Sequence, residues 1–183
     1  MRLPTSLAVA LALATSVPLA AAPPPATPTA VRSDAAGGVL WKVPARWTAG
    51  SGSSMRVATY AVPAAKGAEA GECAVFFFGT GQGGSIDANV ERWSKQFEGT
   101  PAAQRTTATV AGLKVTRAQL AGTYLAPGGP MMQSTGKRPG TRLVGAIVEA
   151  PEGNVFFKLT GPAATVAAAQ AEFDALVASL RKK

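Results

Sequence analysis

The chain has 183 residues, and its 18 Lys and Arg against 10 Asp and Glu give a formal net charge of +8 at neutral pH. It contains no histidine and one cysteine. Without histidine, the chain lacks the general base that serine and cysteine hydrolases usually use. It also lacks the commonest ligand of zinc. The basic residues are scattered along the sequence, which indicates a solvated basic surface that favours anionic partners.

The first 38 residues predict an export signal followed by a linker. Arg2 precedes an apolar stretch, Leu7 to Val17, and small residues follow it, as in a cleavable signal peptide. The stretch is shorter than the roughly 20 residues of a membrane span. We predict a signal peptide over residues 1–22, a Pro/Ala-rich linker over 23–38 and a single folded domain over 39–183, with no transmembrane span after cleavage.

Two short strands are predicted at the start of the domain. Residues 39–43 are mostly apolar and end at Pro44, and residues 55–62 alternate with a period of two. Trp41 and Trp47 are expected to be packing anchors rather than ligand-stacking groups.

Residues 73–97 combine a strand, a glycine-rich turn and an amphipathic helix. The continuous apolar run 74–78 is typical of a strand covered on both faces. Cys73 at its start is expected to behave as a small buried hydrophobe, with a reactive thiol as the alternative. Ser85 is a helix cap in this interpretation. The apolar stripe of the helix comprises Ile86, Val90, Trp93 and Phe97.

The turn at residues 79–84, GTGQGG, matches the dinucleotide-binding pattern G-x-G-x-x-G. A dinucleotide site also needs a parallel βαβ unit and an acidic residue about 20 positions further on. After Glu98, no carboxylate occurs before Glu149. We therefore interpret the glycines as a strand-to-helix turn with positive φ angles and predict no cofactor.

Two further motif matches are interpreted as chance. Acidic and amide residues from Asp87 to Glu98 follow the spacing of a calcium loop, but Arg92 stands where that loop requires glycine. Residues 134–137 fit S-x-x-K, although the companion motifs of that enzyme class are missing. No metal site and no catalytic residue are predicted.

The second half of the domain predicts two hairpins and a final helix. The first hairpin covers 106–110 and 113–125, and the second covers 143–149 and 154–159. A long loop is predicted between them, over 126–140. The final helix is expected to open at Gly161-Pro162. Its apolar stripe comprises Val166, Ala169, Phe173, Leu176, Val177 and Leu180.

Two groups of side chains are candidates for partner binding. The first is the polar shoulder of the first helix beside its tryptophan, although capping or salt bridging would explain these residues equally well. The second is the loop 126–140, where methionines near basic residues would suit an adaptable contact surface, unless they pack on the edge of the core. The candidates are Asn89, Arg92, Trp93, Gln96, Met131, Met132, Lys137 and Arg138.

The stretches GECAVFFFGTGQGGSIDANVERWSKQF, GTYLAPGGPMM and FFKLTGPAATVAAAQAEF resemble a group of uncharacterised exported bacterial proteins. More loosely, the order of elements is similar to that of the PsbP-like superfamily. That resemblance implies an α/β (α+β) fold, with a single antiparallel sheet flanked by two main helices in an α-β-α sandwich. It also implies binding and assembly rather than catalysis, and it transfers no site residue.

The sequence thus predicts an exported, periplasmic or secreted, non-enzymatic domain. We expect a binding or assembly module of the cell envelope whose partner is a protein or an anionic envelope polymer, and not a nucleic acid. One alternative is a periplasmic enzyme that uses a carboxylate or Cys73. Another is a domain that associates with anionic surfaces through charge alone.

Overall fold

A computed structural model describes residues 32–50, 55–127 and 134–183 of the chain. Of these residues, 51% lie in strands and 17% in helices, so the protein is mostly β. The strands form two antiparallel sheets, one of seven strands and one of three. The prediction of an antiparallel sheet with helices is confirmed at this level, whereas the prediction of a single sheet is not.

The elements follow one another along the chain with short connections. In chain order they are β1 (Ser33–Ala36), β2 (Val39–Lys42), β3 (Thr48–Ala49), β4 (Ala58–Val62), β5 (Gly71–Phe77), α1 (Ile86–Ser94), β6 (Gln104–Val110), β7 (Leu113–Pro127), β8 (Ser134–Ala150), β9 (Gly153–Pro162), α2 (Ala163–Ala168), α3 (Gln170–Ala178) and β10 (Arg181–Lys182). The large sheet has the order β3-β4-β5-β9-β8-β7-β6, and the small sheet the order β1-β2-β10.

The small sheet corrects the predicted linker, because β1 lies within residues 23–38. Gly37 and Gly38 have φ angles of 60° and 78°, which suits the tight turn of the β1–β2 hairpin. Asp34 on β1 accepts a hydrogen bond of 2.6 Å from the Tyr60 hydroxyl. The sequence Ser-Asp-Ala-Ala has no apolar alternation, so this strand depends on the turn and on backbone pairing that sequence patterning does not reveal.

The predicted loop 126–140 is also corrected, because β7 and β8 extend into it as one long hairpin. Gly122 pairs with Thr141 and Tyr124 with Arg138, with an irregularity in register between the two pairs. Cross-strand hydrogen bonding and this irregularity accommodate the glycines that suggested a loop. Residues 128–133, which contain Met131 and Met132, lie outside the described residues.

The helices begin and end close to the predicted positions. Ser85 caps α1, since its hydroxyl accepts a hydrogen bond of 3.2 Å from the backbone N–H of Ala88. The final helix is divided into α2 and α3 at Ala169. Pro162 is the last residue of β9 and the residue before α2, rather than the first helical residue.

The large sheet has a hydrophobic core on each face, and the side chains of each strand alternate between them. On β9, Phe157 and Leu159 contribute to the core under α2, α3 and the small sheet, whereas Phe156 contributes to the core under α1. We call these the α3 face and the α1 face. Cys73 is completely buried in the core of the α3 face, as predicted.

The two faces are covered unequally. On the α1 face the nine-residue helix α1 packs over β7 and β8, where the Trp93 ring lies directly on Gly145. Phe78, just beyond β5, remains 41% exposed. The prediction that residues 74–78 are covered on both faces is therefore wrong at the end of this run, because α1 is too short and too far along the sheet to cover it.

The glycine-rich turn has the predicted backbone conformation. Gly79, Gly81 and Gly83 have φ angles of 95°, 71° and 86°. A Cβ on Gly83 would also lie 2.8 Å from the Phe78 ring, so this position requires glycine on two grounds. The strand before the turn, β5, pairs antiparallel with both of its neighbours, and the parallel βαβ unit of a dinucleotide site is not formed here.

Candidate functional site

The uncovered part of the α1 face forms a cavity of about 1050 Å³. Its floor consists of β5 and β9, and α1 and the start of β8 supply walls. Ligand sites typically have volumes of about 300–1,000 Å³, so this cavity is slightly larger than that range. It arises because a short helix lies over one half of a wide sheet.

Six of the eight predicted partner-binding residues line this one cavity. α1 and the turn after it contribute one group, and β8 contributes the other, because the β7–β8 hairpin extends alongside the helix. Met131 and Met132 lie outside the described residues. The six lining residues are Asn89, Arg92, Trp93, Gln96, Lys137 and Arg138.

Asn89 has a largely structural role in the wall of the cavity. It is buried, and its Nδ2 donates hydrogen bonds to the carbonyl oxygens of Gly83 (2.7 Å) and Ser85 (2.9 Å). Its Oδ1 accepts a hydrogen bond of 2.8 Å from Arg92 Nη1. Asn89 therefore fixes the turn before α1 and orients the exposed Arg92 guanidinium.

A polar cluster of Lys158, Gln96 and Tyr124 interrupts the apolar floor. Lys158 Nζ donates hydrogen bonds to Gln96 Oε1 at 2.6 Å and to the Tyr124 hydroxyl at 3.1 Å. The Tyr124 hydroxyl in turn donates to Gln96 Oε1 at 3.3 Å. The cluster joins β9, β7 and the turn after α1, so its geometry is fixed by three separate elements.

Burial, and to a lesser extent the positive charge of Arg56, lowers the pKa of Lys158 to about 8, while the negative charge of Glu72 opposes this change. Arg56 and Glu72 themselves form an ion pair of 2.8 Å at the cavity. Burial, followed by the charge of Glu72, raises the pKa of Tyr124. The Lys158 ammonium is therefore charged at neutral pH but is less strongly stabilised than a surface lysine.

The cavity has an excess of positive charge. Five basic side chains line it (Arg56, Arg92, Lys137, Arg138 and Lys158), against two carboxylates, Glu69 and Glu72. Arg56 is paired with Glu72, and Lys137 with Glu98. Within residues 32–50, 55–127 and 134–183, the other three basic side chains form no salt bridge.

Aromatic side chains occupy the other part of the lining. The rings of Phe76 and Phe78 are stacked with centroids 6.1 Å apart, and Phe78 and Phe156 are 5.9 Å apart. Met55, which is 67% exposed, lies at the same cavity. The site thus combines cationic groups with an exposed apolar surface, an arrangement suited to a ligand that is both anionic and apolar.

Four residues of the cavity were not predicted from the sequence: Lys158, Tyr124, Arg56 and Glu72. The available signal was Lys158, which interrupts the apolar run Phe156-Phe157-Lys158-Leu159 on a strand whose side chains alternate between faces. A lysine on the same face as Phe156 requires either a partner or access to water. Tyr124 and Glu72 carried no such signal, because their proximity depends on strand register.

Several other observations bear on the chemistry of the site. The described part of the chain contains no group of three or more His, Cys, Asp or Glu residues suited to hold a metal ion. Cys73 is completely buried and has no contact with solvent. This burial raises the pKa of its thiol, so the thiol stays protonated. None of the helices in the described ranges is long and apolar enough to cross a membrane.

Comparison with known proteins supports the fold alone. A crystal structure of PA94 from Pseudomonas aeruginosa, a protein of unknown function described as a candidate regulator, is similar to this chain with a TM-score of 0.50. The match covers 84% of this chain and 97% of the other at 13% sequence identity. Neither the protein-family models nor the curated proteins give a significant sequence match.

Lys158 is expected to give a distinctive pH dependence of stability. Because its pKa in the folded protein is about 8, below the ordinary value of 10.5, the unfolded chain binds more protons between these values. The contribution of Lys158 to stability therefore increases as the pH rises above about 8. Denaturant unfolding of the wild type and of Lys158→Met at pH 7 and pH 9 measures this effect.

We expect the wild type to gain stability relative to Lys158→Met between these two pH values. The comparison removes the opposing effects of Tyr124 and Cys73, whose raised pKa values are common to both proteins. A difference in unfolding free energy that does not change with pH would contradict the lowered pKa. Lys42→Met, on the small sheet away from the cavity, is the matched control.

Proposed function

We propose that this chain is an exported, non-enzymatic binding module of the cell envelope, and that it binds its ligand in the cavity on the α1 face. The observation that carries the proposal is the cavity itself, where a basic lining and the exposed ring of Phe78 meet on one side of the sheet. Within the described residues this surface is left uncovered although burying it would stabilise the fold, which favours a role in binding.

The proposed architecture is the PsbP-like α-β-α sandwich, with the three-stranded sheet as an addition to it. Support comes from the position of α1 on one face of the large sheet and of α2 and α3 on the other. The binding role implied by that resemblance agrees with the cavity. A shared fold does not supply a ligand, so the ligand must be argued from the site.

Export and the envelope location rest on the first 22 residues, which have the pattern of a signal peptide. The net charge of +8 supports a location beside anionic envelope components. Three basic side chains in the cavity form no salt bridge with any residue that the structure describes, and they would concentrate that attraction at one place: Arg92, Arg138 and Lys158.

The alternative of a periplasmic enzyme acting through Cys73 has little support from the geometry. Cys73 is buried on the α3 face, behind the sheet from the cavity, and its thiol is held protonated. The carboxylates at the cavity are also poorly suited to acid–base chemistry. Glu72 is paired with Arg56, and Glu69 is exposed to solvent.

Site-specific photo-crosslinking in the producing cell tests the proposal. A benzophenone side chain would replace Phe78, which is exposed in the cavity, and in a separate variant Lys42, which is exposed on the small sheet. Irradiation of cells is followed by gel analysis of envelope and soluble fractions and by intact-mass spectrometry of each purified variant, so that both macromolecular and small crosslinked ligands are detected. We expect an envelope product from position 78 and none from position 42.

The two positions distinguish a specific site from contact through charge alone. Products of equal intensity at both positions would indicate non-specific surface association and would contradict the proposal. The absence of any product at position 78, in a variant that is exported and folded, would also contradict it. Repeating the crosslinking at raised salt further distinguishes a specific site from association through charge alone. Salt screens the attraction between exposed charges, whereas a ligand held in the cavity is retained.

A further inference from the structure

Several hydrogen-bond donors in the cavity lack an acceptor within the described residues. Lys158 uses two of its three N–H groups, on Gln96 and Tyr124, and the Gln96 side-chain N–H₂ makes no hydrogen bond within the described residues. Arg92 uses one nitrogen, on Asn89. The Thr160 hydroxyl, which also lines the cavity, is buried without a hydrogen-bond partner in the described part of the chain.

We propose that the cavity binds a small amphipathic carboxylic acid as its anion. The carboxylate would accept hydrogen bonds from Lys158, Gln96 and Arg92, and the apolar body would lie against Phe76, Phe78 and Phe156. This inference rests on the proposed function, since it specifies the ligand of the same site.

A carboxylate fits the donors better than other headgroups do. An ionised carboxylate is an acceptor only, with two oxygens that can receive hydrogen bonds from several donors at once. A neutral alcohol would leave most of these donors without a partner, and a cation would be repelled by Arg92, Arg138 and Lys158. Arg92 and Gln96 are four positions apart, so their side chains extend from the same side of α1 and the turn after it.

The same lining favours one negative charge on an apolar body over a polyanion. Two of the five basic side chains are already neutralised, Arg56 by Glu72 and Lys137 by Glu98. Phe76 is further engaged by the Arg56 guanidinium, 5.7 Å above its ring. The remaining exposed aromatic surface, mainly that of Phe78, gains most from an apolar chain that displaces water from it.

Binding is expected to depend on the protonation of Lys158. The titratable and charged groups around it are Glu72 on β5, Arg56 before β4, Tyr124 on β7 and Arg138 on β8. The pKa of Lys158 is lowered to about 8, so its ammonium changes charge near that pH. The affinity for a carboxylate should therefore fall as the pH rises above about 8, when the ammonium loses its proton.

Calorimetric titration of the full chain with three probes of the same length tests this inference. The probes are dodecanoate, dodecanol and dodecylammonium, each below the concentration at which it aggregates. We expect dodecanoate to bind most tightly and its affinity to fall between pH 7 and pH 9.5. Lys158→Met should weaken dodecanoate binding by about tenfold or more and should abolish the pH dependence.

Arg92→Gln, at an exposed position, should weaken dodecanoate binding without loss of the fold, and Lys42→Met should leave it unchanged. Equal affinity for dodecanol and dodecanoate, or no binding of dodecanoate, would overturn the carboxylate inference. Either result would leave the proposed function standing if the crosslink from position 78 still forms. Loss of that crosslink as well would remove the proposed function itself.

Discussion

Replacement of Phe173 with alanine is expected to lower the free energy of unfolding by about 3–5 kcal/mol. Phe173 on α3 is completely buried in the core of the α3 face, and the Arg117 guanidinium lies 5.8 Å above its ring. The substitution leaves a cavity that the surrounding strands cannot close. Denaturant unfolding at neutral pH, with the transition midpoint and slope analysed together, measures the change.

Phe78→Ala is the matched control for Phe173→Ala, because it removes the same ring from a position that is 41% exposed. We expect a much smaller loss of stability there, since most exposed positions change stability by less than about 0.5 kcal/mol and the ring contacts of Phe78 add a little more. Similar losses at the two positions would contradict the assignment of the α3 face as the closed core and the α1 face as the open one.

Replacement of Gly145 with alanine is expected to destabilise the protein by about 3 kcal/mol and to disturb the cavity wall. A Cβ at this position would lie 2.7 Å from Cη2 of Trp93 and closer still to Cζ3. The indole is itself buried between α1 and β8, so it cannot move aside without shifting the helix. Thermal unfolding and tryptophan fluorescence report the two consequences.

A double-mutant cycle separates this steric clash from an intrinsic preference of β8 for glycine. Trp93→Ala removes the clashing ring at a cost of its own, about 3–5 kcal/mol for a large buried aromatic side chain. If the clash is the cause, Gly145→Ala should cost almost nothing further once Trp93 is absent. Additive losses would show that the close approach of Trp93 to Gly145 is not what fixes α1 on the sheet.

Local patterns in the sequence were sufficient for the regular elements. The stripe from Ile86 to Phe97 and the cap at Ser85 predicted α1, and the turn residues 151–153 predicted the hairpin of β8 and β9. These features depend on residues close together in the chain, where periodicity is a direct readout of the buried face. Cys73 was placed correctly for the same reason.

The elements that sequence patterning missed depend on backbone pairing. β1 has small polar and alanine residues and forms because Gly37 and Gly38 turn the chain back onto β2. The ends of β7 and β8 contain Gly136 and Pro139, yet they are held by the hydrogen bonds of a long hairpin. Side-chain patterns carry no information on such pairing, so a propensity argument assigns these residues to loops.

The candidate site was predictable in part, from one helix and one basic segment. Asn89, Arg92 and Gln96 were singled out because polar groups stood beside an apolar stripe, but nothing in the sequence placed Lys137 and Arg138 next to them. Their proximity follows from the register of β7 and β8. The partial cover of the sheet by α1, which creates the cavity, is a property of packing and not of any local pattern.

The most direct test of the account is the position of a bound anion in a crystal of the full chain soaked with 12-bromododecanoate. Anomalous scattering locates the bromine without reference to the protein coordinates. We predict bromine in the cavity beside Phe78 and Phe156, with the carboxylate within hydrogen-bonding distance of Lys158 Nζ, about 2.7–2.9 Å. Bromine bound only at other surfaces, with the cavity left to solvent, would contradict the account.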